Sequence, residues 1–466
     1  MLFATGRPLV ELPPLVLDRD DERPLAVQLA DAFRAAAANG TFRAGDRLPS
    51  TRGLAATLGV SRTVTAAAYD QLLAEGWLAA RRGAGTFIVG LPDGARTAGR
   101  PALLATEGAA GVGLIDLTAG SPCVEVLDRA AWRRAWRAAA DTAPATAPER
   151  WGQPAFRAAV VEHLLRHRGL PADPAEVLAT AGSTAAVAEI ARTLPAGSRV
   201  AVEEPGYQLA VNTLRAAGHE VLPVAVDASG LVVDALPRGL AAVYCTPAHQ
   251  YPLGVRMSAA RRVALVEKAR AEGFLVVEDD YDGELRYDVA PLPLLAALGP
   301  DVVAHLGTAS KLLTPTLGAG WLVAPAALRA AVVDMRERTG SQPAPAGQRV
   351  LAALAAHGDL ARHLRRLRRE LAVRRAVTVE AAGSAGHEVL GDAAGAHVVV
   401  PLRDAQAERD VVGAAAAAGV KVDGLARHHT GPQRVCGIVI GFAVLPRPVL
   451  DEALALLAVV LKGTSA

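Results

Sequence analysis

The sequence predicts a multidomain chain. A small helical unit closed by a β-hairpin comes first, then a linker, then a larger α/β unit with a mostly parallel sheet and a smaller C-terminal α/β subdomain. Three observations predict it. At 466 residues the chain is too long for one packing unit, since a domain takes roughly 150 residues. Residues 91–112, LPDGARTAGRPALLATEGAAGV, are rich in Gly, Ala and Pro and lack a sustained apolar period, as a linker does. From Gly113 onward short β-type runs alternate with amphipathic stretches, the pattern of a parallel sheet with crossover helices. The expected units are therefore 1–90 and 113–466.

Composition bounds the function classes. Hydrophobic residues make up 51% and charged residues 21%, and 49 basic against 47 acidic residues leave +2. That balance excludes both a disordered chain and a globally basic nucleic-acid coat, so any DNA-binding surface is local. Cys123, Cys245 and Cys436 stand far apart without metal-ligand spacing, which points to a reducing cytoplasm and no structural metal site. The first residues, MLFATGRPLVELPPLVLDRDDERP, are interrupted by prolines and acids, unlike a secretion signal. No apolar run reaches the roughly 18 to 20 residues of a membrane span, so a soluble cytoplasmic protein is expected. Lysine occurs only at 268, 311, 421 and 462, and no phosphate loop ends in Gly-Lys-Ser/Thr.

The first unit is read from its stops and caps. A helix is expected near Leu25 to Asn39, followed by Gly40 and TFRAGDRLP. A short helix starts at Ser50 with Leu54 and Leu58 one turn apart as its buried face, and Gly59 stops it because glycine accepts a left-handed conformation. Ser61 then caps a third helix whose inward positions are Val64, Ala68 and Leu72. Two short helices joined at Gly59-Val60 make a helix-turn-helix. After Gly76, WLAARRGAGTFIV reads as a two-stranded hairpin with a basic, glycine-permitted tip, which completes a winged helix. Between Thr41 and Gly90 six arginines face three acids, a local +3 that favours phosphate backbone.

The stretch LPSTRGLAATLGVSRTVTAAAYDQLLAEGWLAARRGAGTFIV resembles, along its whole length, the winged-helix domain of GntR-family bacterial transcription regulators. That resemblance implies DNA contacts from Arg52, Ser61, Arg62, Thr63, Arg82 and Gly83. Residues at the start of a recognition helix reach base edges, and an arginine pairs in bidentate fashion with guanine, which favours Arg62 for base readout.

In the second unit the runs RVAVEE, EVLPVAV, AAVYCT, FLVVED, VVAHLG and AGWLVA are the expected strands. HLRRLRRELAVRRAVTVEAA is a helix, and AHVVVP and GIVIGFAV are the strands of the subdomain. Lys311 follows VVAHLG in Thr308-Ala309-Ser310-Lys311, at a strand end beside two hydroxyls. Thirty-two residues earlier FLVVE ends in Asp279-Asp280-Tyr281-Asp282-Gly283, and Gly182-Ser183-Thr184 stands between a strand-like run and a helix. A Schiff-base lysine, a strand-end carboxylate for a pyridine nitrogen, a tyrosine for a phenolic oxygen and a helix start for a phosphate converge on pyridoxal 5'-phosphate.

The order of these features, with LATAGS, EEPGY (203–207) and TPAHQYPLG (246–254), resembles fold-type I aminotransferases. Joined to a GntR-like winged helix, the chain resembles the MocR/GabR branch of that family over nearly all residues. By that resemblance Lys311 carries the cofactor, Asp279 partners the pyridine nitrogen and Tyr281 the phenolic oxygen. Tyr207 stacks on the ring, His249 or Gln250 lies near the ring oxygen, and Ser183, Thr184, Thr308 and Ser310 hold the phosphate. The resemblance also implies a head-to-tail homodimer, an operator in double-stranded DNA and an amine, amino acid or the cofactor itself as effector.

Two positions depart from the family pattern. Seven residues after Lys311, where an arginine commonly pairs with the cofactor phosphate, stands Gly318. Loss of a charge-assisted hydrogen bond worth roughly 1.5 to 3 kcal/mol weakens cofactor binding about 10- to 100-fold unless another group substitutes. Near the end, where an arginine commonly binds a substrate carboxylate, Gly437 stands four residues before Gly441 and the nearest arginine is Arg434. Two other functions therefore stay open at this point: an active aminotransferase with a DNA-binding appendage, and a GntR-type regulator whose large domain no longer holds the cofactor.

Overall fold

The structure, a computed structural model, describes residues 17–19, 21, 23–38, 41–81, 84–89, 113–287 and 293–464. The linker expected at 91–112 lies outside the described residues. The chain divides into two compact units at Gly111/Val112.

In the first unit α1 (Leu25–Ala38) is followed by β1 (Arg47–Leu48), α2 (Thr51–Leu58) and α3 (Arg62–Ala74). Ser50 Oγ caps α2 by accepting from Gly53 N–H at 3.1 Å, and Gly59 ends it at φ 62°. Ser61 Oγ caps α3 through Val64 N–H at 3.4 Å. Ala68 and Leu72 face inward as expected, but Val64 is only half-buried and Thr65 takes the fully buried place. A polar residue is tolerated there because its Oγ1 lies 2.9 Å from Thr51 O and 3.0 Å from Arg62 O.

The wing is β2 (Leu78–Arg81) against β3 (Gly85–Ile88), and β1 joins β3 on its other edge, making three strands rather than two. The turn at Gly45 aims its N–H at Ile88 O (2.9 Å), while Ile88 N–H reaches Asp46 O (2.9 Å), and these bonds draw Arg47-Leu48 into the sheet. Leu29, Phe33, Phe42, Leu54, Tyr69 and Leu72 fill the core, with Phe33 and Phe42 stacked at 5.4 Å.

The second unit opens with β4 (Ile115–Asp116), α4 (Arg129–Ala140) and α5 (Pro154–Arg168). Its sheet comprises β5 (Val177–Thr180), β6 (Arg199–Glu204), β7 (Glu220–Asp227), β8 (Gly230–Leu231), β9 (Ala242–Cys245), β10 (Leu275–Asp279), β11 (Val303–Thr308) and β12 (Gly320–Val323). The spatial order is β5-β12-β11-β10-β9-β6-β7-β8. Strands β7, β6, β9, β10 and β11 run parallel, and β12 is antiparallel to both β11 and β5. Only Ala309–Ala319 separates β11 from β12, too short for a crossover helix, so the chain must turn back.

Successive strand residues serve opposite cores. Val276 and Val303 pack with α5 residues Phe156 and Val160, whereas Val277 and Ala304 pack with Val187 and Ile190 of α6 (Ser183–Thr193) and Val211 of α7 (Gln208–Ala216). The subdomain contains β13 (His397–Pro401), β14 (Val420–Lys421), β15 (Asp423–Gly424) and β16 (Gly437–Gly441). There β13-β16-β15 form an antiparallel sheet and β14 pairs with β4. A 26-residue helix, Asp359–Ser384, leads into it.

Candidate functional site: an arginine-edged helix start and a carboxylate-floored cavity

In the first unit the two helix starts are tied together. The Thr65 hydroxyl beside Thr51 O holds the first turns of α2 and α3 against each other, so Arg52 and Arg62 leave from neighbouring turns. Arg52, Ser61, Arg62 and Thr63 are all exposed. Arg82 and Gly83 lie outside the described residues. Arg81 next to them lies 5.0 Å from the centre of the Phe87 ring, which fixes the base of the wing.

In the second unit a cavity of about 630 Å³ opens at the C-terminal ends of β10 and β11 and at the start of α6. This is where parallel strands of an α/β sheet present ligand sites. Lys311, Asp279, Tyr281, Tyr207, Ser183, Thr184, Thr308 and Ser310 all line it. The structure thus brings together eight of the ten side chains singled out for the cofactor.

Asp279 ends β10 and is buried. Its Oδ2 accepts from the Tyr244 hydroxyl at 2.7 Å, whereas its Oδ1 is buried with no partner. Burial pushes its carboxyl up to about 6, against the Tyr244 hydroxyl, whose hydrogen bond favours the charged form. An unsatisfied carboxylate oxygen on a cavity wall fits a cationic N–H donor such as a pyridinium.

Another part of the cavity wall is a cup of hydroxyls. Gly182 adopts φ 125°, ψ 173°, a conformation nearly reserved for glycine, and so starts α6 facing the cavity. A Cβ there would stand 3.6 Å from Thr308 Oγ1 and 3.9 Å from Ser310 Oγ. Thr308 Oγ1 is 2.9 Å from Ser310 Oγ, and Thr184 Oγ1 is 3.3 Å from the Tyr207 hydroxyl. Free backbone N–H groups at a helix start beside several hydroxyls fit a phosphate.

Lys311 lines the same cavity, and its Nζ donates to Gly120 O. Burial lowers its pKa, while the carboxylates of Asp282 and Asp279 pull the other way. Tyr281 is held from behind, its hydroxyl 3.1 Å from His249 Nδ1, which is itself 2.9 Å from Asp282 Oδ2.

His249 and Gln250 do not reach the cavity. Both are buried behind its wall, Gln250 Nε2 being committed to Pro205 O (2.8 Å) and Tyr251 O (2.7 Å). Their neighbour Tyr251 lines the cavity instead, edge-on to Tyr207 at 5.7 Å and to His428 at 5.2 Å. Gly318 closes a short turn at φ 58° with nothing within 4 Å of its would-be Cβ, away from the cavity wall. Arg434 is exposed and off the wall as well. A side chain at Gly437 would come within 2.5 Å of Val400 O, so that position admits no arginine.

The guanidinium on the wall is Arg427, missed in the sequence, which follows β15 and pairs with Asp423 at 2.6 Å. The sequence signal for it is only the Asp423…Arg427 spacing of one helical turn.

Under the floor, Arg168 at the end of α5 grips Asp280 with Nε (2.6 Å) and Nη2 (2.8 Å), and its Nη1 donates to Gly283 O at 3.1 Å. A Cβ on Gly283 would meet Asp280 Oδ1 at 2.1 Å, so glycine is required for this grip. The clamp shapes the loop that carries Tyr281 and Asp282 into the cavity. Glu203 lies behind the same wall, with Oε2 accepting from Thr246 Oγ1 (2.6 Å) and N–H (3.0 Å) while Oε1 has no partner.

Residues 25–88 match the family model for bacterial regulatory proteins of the gntR family, and residues 112–426 match that for aminotransferase class I and II. The chain is 37% identical over 440 residues to the HTH-type pyridoxine biosynthesis transcriptional regulator PdxR of Corynebacterium glutamicum, across 92% of this chain and 94% of that one. It is 32% identical to the probable rhizopine catabolism regulatory protein MocR of Rhizobium meliloti, across 94% of each. The crystal structure of a multiple substrate aminotransferase from Thermococcus profundus superposes with a TM-score of 0.70 at 25% identity, over 76% of this chain and 93% of that chain.

Burial pushes the Glu203 carboxyl up to about 7, above the value of an unfolded glutamate. The folded state therefore holds that proton more tightly, and the resulting stability is full at low pH and is lost as pH rises through about 7. Glu203→Gln removes the titration. Between about pH 5 and 8 the second unit of the wild type is expected to lose on the order of 3 kcal/mol relative to the variant. Urea denaturation at each pH reads this, and parallel pH profiles for the two proteins would refute it.

Proposed function

The chain belongs to the MocR-like branch of GntR-family helix-turn-helix transcription regulators, in which a class I and II aminotransferase domain follows the DNA-binding unit, and from this premise we propose that its cavity binds pyridoxal 5'-phosphate and senses an amine, an amino acid or the cofactor itself. The observation that carries the reading is the buried Asp279 carboxylate with a free oxygen, in one cavity with a hydroxyl-lined helix start and Lys311. Residues 1–90 read DNA, 91–112 link and 113–466 hold the cofactor.

Bound there, the cofactor supplies a carbonyl electrophile on an electron-withdrawing ring, to which amines attach covalently. Asp279 holds the proton of the pyridine nitrogen at its free Oδ1. Ser183, Thr184, Thr308 and Ser310, with the start of α6, take the phosphate without a guanidinium, since Gly318 offers none. Burial keeps a larger share of Lys311 as the neutral amine, the form that attacks a carbonyl. Tyr207 packs against the ring, Tyr281 binds its phenolic oxygen, and the His249-Asp282 pair fixes the tyrosine from behind. Neutral His397 and His428, which burial lowers to about 3 and about 4, leave Arg427 as the cation for an effector carboxylate.

In the first unit Arg62, at the first turn of α3, reads base edges while Arg52, Ser61 and Thr63, with Arg82 and Gly83 of the wing, contact the backbone. A homodimer presents two such helices to two half-sites.

Two experiments test this. With added pyridoxal phosphate the wild type is expected to show a near-visible absorbance band that is absent in Lys311→Ala, and borohydride reduction is expected to leave the adduct on the Lys311 peptide. An adduct on another lysine, or no band, removes the cofactor reading. Arg62→Ala is expected to lose sequence-specific binding in a gel-shift assay by about 10-fold or more, while the absorbance band stays. Unchanged binding would displace α3 as the reading helix.

A further inference from the structure

Arg427 brings its guanidinium to the cavity wall from a short segment, 425–431, between β15 and β16. Little regular structure supports that segment, whose single helical turn, Leu425–His428, has no side-chain cap. Two buried carboxylates hold it instead, one near each end. Glu408, on the subdomain helix Ala405–Ala417, accepts from Ala426 N–H at 2.8 Å. Glu204, the last residue of β6, accepts from Thr430 N–H at 2.9 Å and from Gly431 N–H at 2.7 Å. Arg427 and His428 therefore lie between two anchors, the first in the subdomain and the second in the main sheet.

The second anchor is a clasp rather than a single contact. Gln208 Nε2 donates to His428 O at 2.9 Å and to Thr430 Oγ1 at 3.3 Å, and Gly206 N–H donates to the same His428 O at 2.9 Å. These residues flank Tyr207, so one short stretch both presents the tyrosine to the cavity and grips the backbone of the turn that carries the guanidinium. Tyr251 bridges the same gap with side chains, edge-on to Tyr207 at 5.7 Å and to His428 at 5.2 Å. Glu204 holds the turn of Arg427 without pairing with its guanidinium, whose partner is Asp423 at 2.6 Å.

The two sides of the clasp differ in stiffness. Strand β6 lies between β9 and β7 inside the eight-stranded sheet, and the Tyr207 hydroxyl is 3.3 Å from Thr184 Oγ1 on α6. The 425–431 side has only its end anchors, so it is the side that yields when the clasp opens. A hydrogen bond from N–H to a carboxylate is roughly twice as strong as one between neutral groups, which makes Glu204 the main tie.

We propose that Glu204 and Gln208 are positioning residues for the effector: by fixing Arg427 relative to Tyr207 they make the site prefer an amine that carries a carboxylate over the same amine without one. The inference rests on the reading, given above, that Arg427 is the cation for an effector carboxylate. A forked guanidinium–carboxylate pair depends on the placement of both partners. Loosening the turn therefore weakens that pair and leaves the attachment of the amino group as it was.

The test uses the full-length chain loaded with pyridoxal phosphate. Shifts of its near-visible band on titration with L-alanine and L-phenylalanine are compared with those given by ethylamine and 2-phenylethylamine, the same amines without the carboxylate. The wild type is expected to prefer the carboxylated member of each pair. Glu204→Gln, which keeps the shape but not the charge, is expected to narrow that preference by about 10-fold, and Gln208→Ala by about 3-fold. Cofactor affinity and the response to the plain amines are expected to stay unchanged in both. Amide hydrogen exchange in peptide 425–434, measured on the chain without cofactor, is expected to be faster by about 10-fold or more in Glu204→Gln.

Arg427→Gln separates this inference from the reading beneath it. If that change abolishes the preference while Glu204→Gln and Gln208→Ala leave it intact, the clasp serves the fold alone and the proposal is overturned, with Arg427 keeping its role. An equal loss for both members of each pair also overturns it, because that marks general damage to the cavity. No preference in the wild type, or a preference that survives Arg427→Gln, removes the reading of Arg427 and this inference with it. A band that none of these amines shifts removes amine sensing, and the inference again falls. Should Glu204→Gln fail to fold, Gln208→Ala decides between these outcomes by itself.

Discussion

Asp279 sits at the end of a strand in the middle of the sheet, shielded from water, with one oxygen held by Tyr244 and the other free. A buried carboxylate oxygen without a donor costs on the order of 1 to 3 kcal/mol, and a buried charge costs more. That cost persists only where the fold around it is over-determined or where a ligand removes it. The first condition holds here, and the proposed function would supply the second. The floor is fixed by Arg168 gripping Asp280 and Gly283, by His163 bonding Glu284 at 2.7 Å one turn earlier on α5, and by Glu203 tying Thr246 beneath the wall. Every other feature of the cavity, from the hydroxyl cup to Lys311, is placed relative to this fixed acid.

Much of this was legible in the sequence because it depends on period and chain order. Apolar runs of four to six residues mark β6, β9, β10 and β11, and a functional group at a strand's end must lie at the sheet's C-terminal edge. Asp279, Thr308 and Gly182 follow from that rule, and Lys311 from the scarcity of lysine. What escaped was decided by short irregular segments. The loop TPAHQYPLG turns His249 and Gln250 inward and leaves Tyr251 on the wall, a choice made by hydrogen bonds to Glu203, Pro205 and Tyr281 that are distant in sequence. Arg427 sits on a single helical turn after β15, where no periodicity announces a direction. The two-residue strand β1 joins the wing through bonds to Asp46 and Gly45 rather than through any β-propensity of its own.

The departures at Gly318 and Gly437 take on a different meaning in three dimensions. Gly437 sits where Val400 O leaves no room for a side chain, so the subdomain excludes an arginine there, and Arg427 brings a guanidinium to the wall from another element. At Gly318 nothing blocks a side chain, but the left-handed backbone favours glycine, and on the proposed reading a phosphate would meet a helix start and hydroxyls without a guanidinium from this position. Under the proposed function, the site keeps the parts that would recognise the ring and the aldehyde and has less charge to retain the phosphate. Reversible occupancy suits a sensor, for which release matters as much as capture.

The central claim is that the free oxygen of Asp279 exists to receive the cofactor's ring nitrogen. The most direct test is calorimetric titration of pyridoxal phosphate into the full-length wild type and Asp279→Asn at neutral pH. The asparagine keeps the side chain's shape and its bond to Tyr244 but cannot balance a pyridinium charge. The account predicts at least about 10-fold weaker binding in the variant, the worth of one charge-assisted hydrogen bond, with no loss of folding. Equal affinity in the two proteins would contradict it, and would mean that the buried carboxylate serves the fold alone.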